Sequence, residues 1–88
     1  MRYLGGVVRN SELPAVGGLT SLFARAIKEA TEDAGLSGSE VARRLGRAQS
    51  YVSLRMNGRK SWTLDELEAI AEMLGLTSYD LIDRARGK

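Results

Sequence analysis

From Gly18 onward the apolar residues of this chain recur at spacings of three and four, in runs broken by glycine; before Gly18 they do not. Leu19, Leu22, Phe23, Ala26, Ile27, Ala30 and Ala34 make one stripe along a first helix that ends at Gly35, a left-handed cap position. Ser37 and Glu40 have the spacing of a capping box, in which a hydroxyl and a carboxylate satisfy the free amides of a helix start. The second helix they open turns Val41, Ala42 and Leu45 inward and stops at Gly46. A third runs from about Gln49 to Asn57 and is ended by Gly58. Thr63 and Glu66 form another capping box, and the fourth helix buries Leu64, Leu67, Ile70, Ala71 and Leu74 before Gly75. A short fifth helix from about Ser78 turns Leu81, Ile82 and Ala85 inward. Five helices with short connections predict an all-α domain with no strand in its core.

The third helix is the odd one. At about 100° per residue, Met56 falls close to the direction of Val52, while Ser50, Ser53, Leu54 and Asn57 point roughly the opposite way and Gln49 sits on the flank. A helix that served only the core would carry a wider apolar stripe. With its partner, the helix from Ser37 to Leu45, it reads as two short helices joined by a tight turn, the second turned outward with a polar face.

Residues 1–18 carry Gly5, Gly6, Gly17, Gly18 and Pro14 with two short apolar pairs, Tyr3-Leu4 and Val7-Val8, and form no helix of any length. They read as a glycine-rich, flexible N-terminal arm before a domain over residues 19–88. A mobile tail is the first expectation. An edge strand pairing with a second subunit through Tyr3 to Val8, or an arm that lays Arg2 and Arg9 on phosphates or in a minor groove, are the alternatives.

Composition removes most chemistry. The 88 residues are enough for one small core, and the chain has neither cysteine nor histidine. Disulfides, thiolate metal sites, cysteine nucleophiles and the commonest general base are excluded by those absences. No cofactor, metal or small-molecule ligand is expected, and no catalysis. No apolar run approaches the roughly 18 residues of a membrane span, nor does the N-terminus carry a secretory apolar region, so a cytoplasmic location is expected.

The net charge of +2 is too small to decide anything, but its distribution is not. Between Leu36 and Trp62, Arg43, Arg44, Arg47, Arg55, Arg59 and Lys60 face a single acid, Glu40. Between Thr63 and Asp83 lie Asp65, Glu66, Glu68, Glu72, Asp80 and Asp83, with no base. A polyanion is steered toward one face of such a molecule and away from another.

Leu36-Ser37, Glu40-Val41-Ala42, Leu45-Gly46, Gln49-Ser50, Val52-Ser53, Asn57-Gly58, Leu67, Ala71 to Gly75 and Tyr79-Asp80-Leu81-Ile82 together carry a family resemblance. The chain resembles, without gaps from Leu36 to Ile82, the lambda repressor and Cro-type (Xre) helix-turn-helix DNA-binding domains of phage repressors and bacterial regulators. The resemblance implies that the third helix enters the major groove. Gln49 would read adenine through its amide, which can donate to N7 and accept from N6, and Ser50 and Leu54 would read neighbouring base edges. Ser39, Arg43, Arg44, Arg47, Tyr51, Ser53, Asn57, Arg59 and Lys60 would hold phosphates, setting affinity and register.

Three positions depart from the family pattern. Gly38 stands where a glutamine often braces the first reading residue, with Ser39 as a partial substitute. Arg55 occupies an often aliphatic position and Met56 one often held by glutamate; the apolar contact is expected to move to Met56 while Arg55 runs outward to a phosphate or an acid. Trp62 replaces a common proline and is expected to pack as core against the fourth helix.

The function implied is a sequence-specific regulator that occupies a double-stranded DNA operator, repressor-like or Cro-like, as a homodimer on DNA. The alternative is an antitoxin-type protein-interaction module whose DNA binding is autoregulatory, which an arm that folds on a partner would favour.

Overall fold

Side-chain caps at Ser37, Thr63 and Thr77 open three of the helices, and glycines of positive φ follow each of the five. The computed structural model describes residues 18–87, and over these the chain forms α1 (Gly18–Asp33), α2 (Gly38–Leu45), α3 (Gln49–Met56), α4 (Leu64–Met73) and α5 (Ser78–Ala85), with no strand. The expectations for the N-terminal arm lie outside the described residues, except that Gly18 itself opens α1.

The Thr63–Glu66 capping box is complete: the Glu66 amide donates to Thr63 Oγ1 at 3.0 Å and the Thr63 amide to Glu66 Oε1 at 2.9 Å. Thr77 and Asp80 build a second complete box at the start of α5, at 2.8 and 3.1 Å, which the shorter Asp side chain concealed in the sequence. The Ser37–Glu40 box is half of what its spacing predicts. Ser37 Oγ accepts from the Glu40 amide at 3.1 Å, but the Glu40 carboxylate turns instead to Arg43 and Arg44.

Two glycines bound α3. At Gly46 the chain takes φ +68°, and the Arg47 amide reaches back to the Ala42 carbonyl at 3.0 Å, closing α2 and turning the chain within three residues into α3. At Gly58, φ is +77°, and the Arg59 amide closes on the Leu54 carbonyl at 2.9 Å in the same way. An L side chain is strained in that conformation, so both turns depend on glycine.

The core lies between α1, α4 and α5, where Ile27, Ala30, Leu67, Ile70, Ala71 and Leu81 are buried together. A smaller cluster of Val41, Ala42 and Val52 joins α2 to α3. Leu45, Met56 and Trp62 pack against both clusters and fuse them. Met56 thus makes the apolar contact expected of it and Trp62 is core, its Nε1 buried without a hydrogen-bond partner. At the surface, Arg84 of α5 donates to Asp33 of α1 at 3.0 Å, and Thr20 is hydrogen-bonded to Ser61 at 2.8 Å, tying the loop after α3 to α1.

The stripes predicted for α1 and α4 need correction at their ends. Leu64 is 82% exposed and Leu19 68% exposed, while Ala24, outside the predicted stripe, is buried. Leu64 is the first residue of α4 and Leu19 the second of α1, where a side chain overhangs the end of the packing surface. Ala24 is covered because the turn at Gly58 crosses α1 beside it and Ser21. Ala34, past the last turn of α1, is exposed.

Candidate nucleic-acid interface

Of the eight residues of α3, one is fully buried: Val52, 1% exposed. Gln49, Ser50, Ser53 and Leu54 are exposed, as is Asn57 at the helix end. The helix is held by Val52 and the half-buried Met56 on one side and by the half-buried Tyr51 and Arg55 on a flank, and presents the remaining face to solvent. No side chain caps its start, where Ala48 takes an extended conformation. Gln49 rims a cleft of about 250 Å³ that runs past Ser37 and Gly38 to Lys28 and Glu32 of α1. Nothing lies within 4 Å of where a Cβ at Gly38 would sit, so the place of the missing bracing side chain is open space.

Around α3 the exposed cations fall into two kinds. Arg43 and Arg44 both donate to Glu40, Arg44 at 3.0 Å. The Arg43 bond first, and the Arg44 bond with it, holds the Glu40 carboxyl below its ordinary value, and the same pairing raises Arg43. Arg47, Arg59 and Lys60 are exposed and have no ion-pair partner among the described residues, and Ser39 is exposed in the first turn of α2.

Tyr51 and Arg55 sit elsewhere than expected. The Tyr51 hydroxyl donates to Glu66 Oε2 at the first turn of α4. That bond raises the phenol above its ordinary value of 10.0 and commits its one proton, so the hydroxyl has no donor left for a phosphate. Arg55 does not run outward. Its side chain is 15% exposed, its guanidinium lies 3.5 Å from the centre of the Tyr51 ring, Nη1 donates to the Tyr51 carbonyl at 3.0 Å, and Nε stands 3.9 Å from Glu66 Oε1. Folding back replaces solvent with a ring face and a nearby carboxylate. The acid named as one alternative is therefore Glu66.

Glu66, in the sequence a capping residue and one of the acids after Thr63, does more in the structure. Burial works against its charge. Hydrogen bonds from the Thr63 amide and the Tyr51 hydroxyl, with the charge of Arg55, outweigh that cost and hold its carboxyl below the ordinary 4.5. Arg47 in the turn and Tyr51 and Arg55 on α3 stand four residues apart, a spacing visible in the sequence.

The arrangement is an outward helix carrying amide, hydroxyl and small apolar groups, set among cations and supported from behind by a second helix across a three-residue turn. That geometry defines the helix-turn-helix class. A family model described as a helix-turn-helix domain matches residues 22–85, and the chain belongs to that family. The span contains all of the resemblance read from Leu36 to Ile82. Two solved structures of ClgR, the clp gene regulator of Corynebacterium glutamicum, are similar in fold at 25% identity. One has a TM-score of 0.74 and overlaps 78% of this chain and 73% of that one; the other has a TM-score of 0.73, with 78% and 90%. No curated protein matches. No helix among the described residues is long and apolar enough to cross a membrane.

Proposed function

We propose that this chain is a sequence-specific double-stranded DNA-binding transcription regulator, repressor-like or Cro-like, that reads the major groove with α3. The observation that carries the reading is the exposure of Gln49, Ser50, Ser53 and Leu54 together on a helix whose other residues, Tyr51, Val52, Arg55 and Met56, anchor it. Membership of the helix-turn-helix family and similarity to a gene regulator support it.

In this reading Gln49, Ser50 and Leu54 contact base edges. Ser39, Ser53, Asn57, Arg47, Arg59 and Lys60 contact phosphates, and Arg43 and Arg44 do so from their shared hold on Glu40. Tyr51 leaves the phosphate set because its hydroxyl is engaged by Glu66. The role is binding, with no reaction to catalyse. One domain of this size touches few base pairs, so two copies, on half-sites about 34 Å apart, would supply specificity, meeting through the α5 surface and the C-terminal tail or through the N-terminal arm.

The test is selection of bound duplexes from a random pool, followed by a salt titration on the selected site. Enrichment of a two-fold-related sequence, with affinity falling as salt rises, supports the reading. Absence of any complex at low salt overturns it.

A further inference from the structure

We propose that Tyr51 is a positioning residue whose ring holds the Arg47 guanidinium ready for a DNA phosphate, and that Glu66 holds the ring. The inference rests on the DNA-binding reading above and adds the device that prepares one of its contacts.

Arg47 lies in the turn between α2 and α3, two residues before the first reading residue. Its guanidinium stands 4.6 Å from the centre of the Tyr51 ring, within the range of a cation–π contact. A stacked guanidinium is covered on one face only, and its in-plane N–H donors stay free for the two oxygens of a phosphate. Those donors have no protein acceptor among the described residues, unlike the donors that Arg43 and Arg44 direct at Glu40. Arg47 is therefore the cation beside α3 that is both restrained and uncommitted.

The ring is itself fixed. The Arg55 guanidinium contacts it at 3.5 Å, and its hydroxyl is bound to a carboxylate that also caps α4. The chain of support runs from the α4 cap through Glu66 and the Tyr51 ring to Arg47, so the core helix α4 sets where a cation of the turn stands. Without the ring, a long exposed side chain would have to be ordered at the moment of binding.

The experiment is a double-mutant cycle on the full chain, using a short mixed-sequence duplex and fluorescence anisotropy across a salt series. Far-UV circular dichroism checks that each variant is folded. Arg47→Ala is expected to lower the log-log salt slope by about 0.9, the loss of one phosphate contact. Tyr51→Leu is expected to weaken binding about two- to fivefold in the Arg47 background and not at all in the Arg47→Ala background. Tyr51→Phe, which keeps the ring but loses the bond to Glu66, should fall between the parent and Tyr51→Leu. Should Tyr51→Leu fail to fold, Tyr51→Met takes its place. In the free protein, upfield-shifted Arg47 Cδ protons should persist in Tyr51→Phe and disappear in Tyr51→Leu.

Equal losses from Tyr51→Leu with and without Arg47 would make Tyr51 merely structural and overturn the proposal, as would an unchanged slope in Arg47→Ala or unshifted Arg47 protons. A parent protein that binds no duplex overturns the DNA-binding reading instead, and the shifted protons then report the stacking by itself.

Discussion

The Tyr51 hydroxyl donates to Glu66 Oε2 across fifteen residues of sequence, joining the outward helix α3 to the first turn of α4. The carboxylate at the other end of that bond also receives the Thr63 amide and faces Arg55. One charged group thus closes a helix start and holds the flank of the candidate recognition helix.

Acid should undo this contribution. The folded-state value of Glu66 is lowered relative to the ordinary 4.5, so its charge stabilises the native state above that value. The contribution declines as pH falls through the lowered value. Glu66→Gln is expected to cost about 1.5–3 kcal/mol at neutral pH, the range for hydrogen bonds to a charged group. Urea unfolding at pH 7 and at pH 3 checks this: the gap between parent and variant should narrow in acid, and a constant gap would show that charge is irrelevant there.

Gln49→Ala is expected to weaken binding to a selected site by about 1–3 kcal/mol and to relax preference at one base pair. Competition between the selected duplex and single-base variants measures it. An equal loss on unrelated DNA would remove Gln49 from the reading set.

Arg59 and Lys60 are exposed in the turn after α3 and unpaired among the described residues. Replacing either with Ala should weaken binding to every duplex alike and flatten the salt dependence by about one unit of slope. A slope that stays put means that the residue meets no phosphate.

Gly38 is the first residue of α2, and a Cβ there would meet nothing within 4 Å. Gly38→Ala should stabilise the domain by up to about 0.5–1 kcal/mol, because a helical glycine loses more backbone freedom than alanine. Gly38→Gln should keep most of that gain and, from the rim of the cleft it shares with Gln49, strengthen binding to the selected site. Thermal melts and affinities of the two variants separate the effects; a Gln variant no tighter than the Ala variant would show that no brace forms.

Leu64 and Ile70 lie on the same helix at opposite extremes of burial, 82% and 0% exposed. Ile70→Ala should cost about 2–5 kcal/mol, the loss of a buried side chain plus the cavity it leaves. Leu64→Ser should change stability by no more than about 0.5 kcal/mol. Chemical denaturation of the two variants checks whether α4 begins as described.

The sequence is most legible where structure depends on neighbours in the chain. The glycine stops at Gly46 and Gly58, the Thr63 cap, the inward turn of Val41, Val52, Ile70 and Leu81 and the outward face of α3 follow from periodicity and backbone sterics, which act over a few residues. Least legible are polar side chains whose partners are chosen in space: the Tyr51 hydroxyl takes Glu66 on α4, and Arg84 of α5 takes Asp33 of α1.

The pattern of residues alone therefore determined five helices, the narrow buried stripe of α3 and the basic surroundings of the turn, because helix period and glycine conformation are local properties. Only the tertiary structure decided that Tyr51 faces Glu66 and that Leu64 lies bare at a helix end. Those outcomes depend on which surfaces the folded chain brings opposite one another, and no spacing along the sequence encodes that.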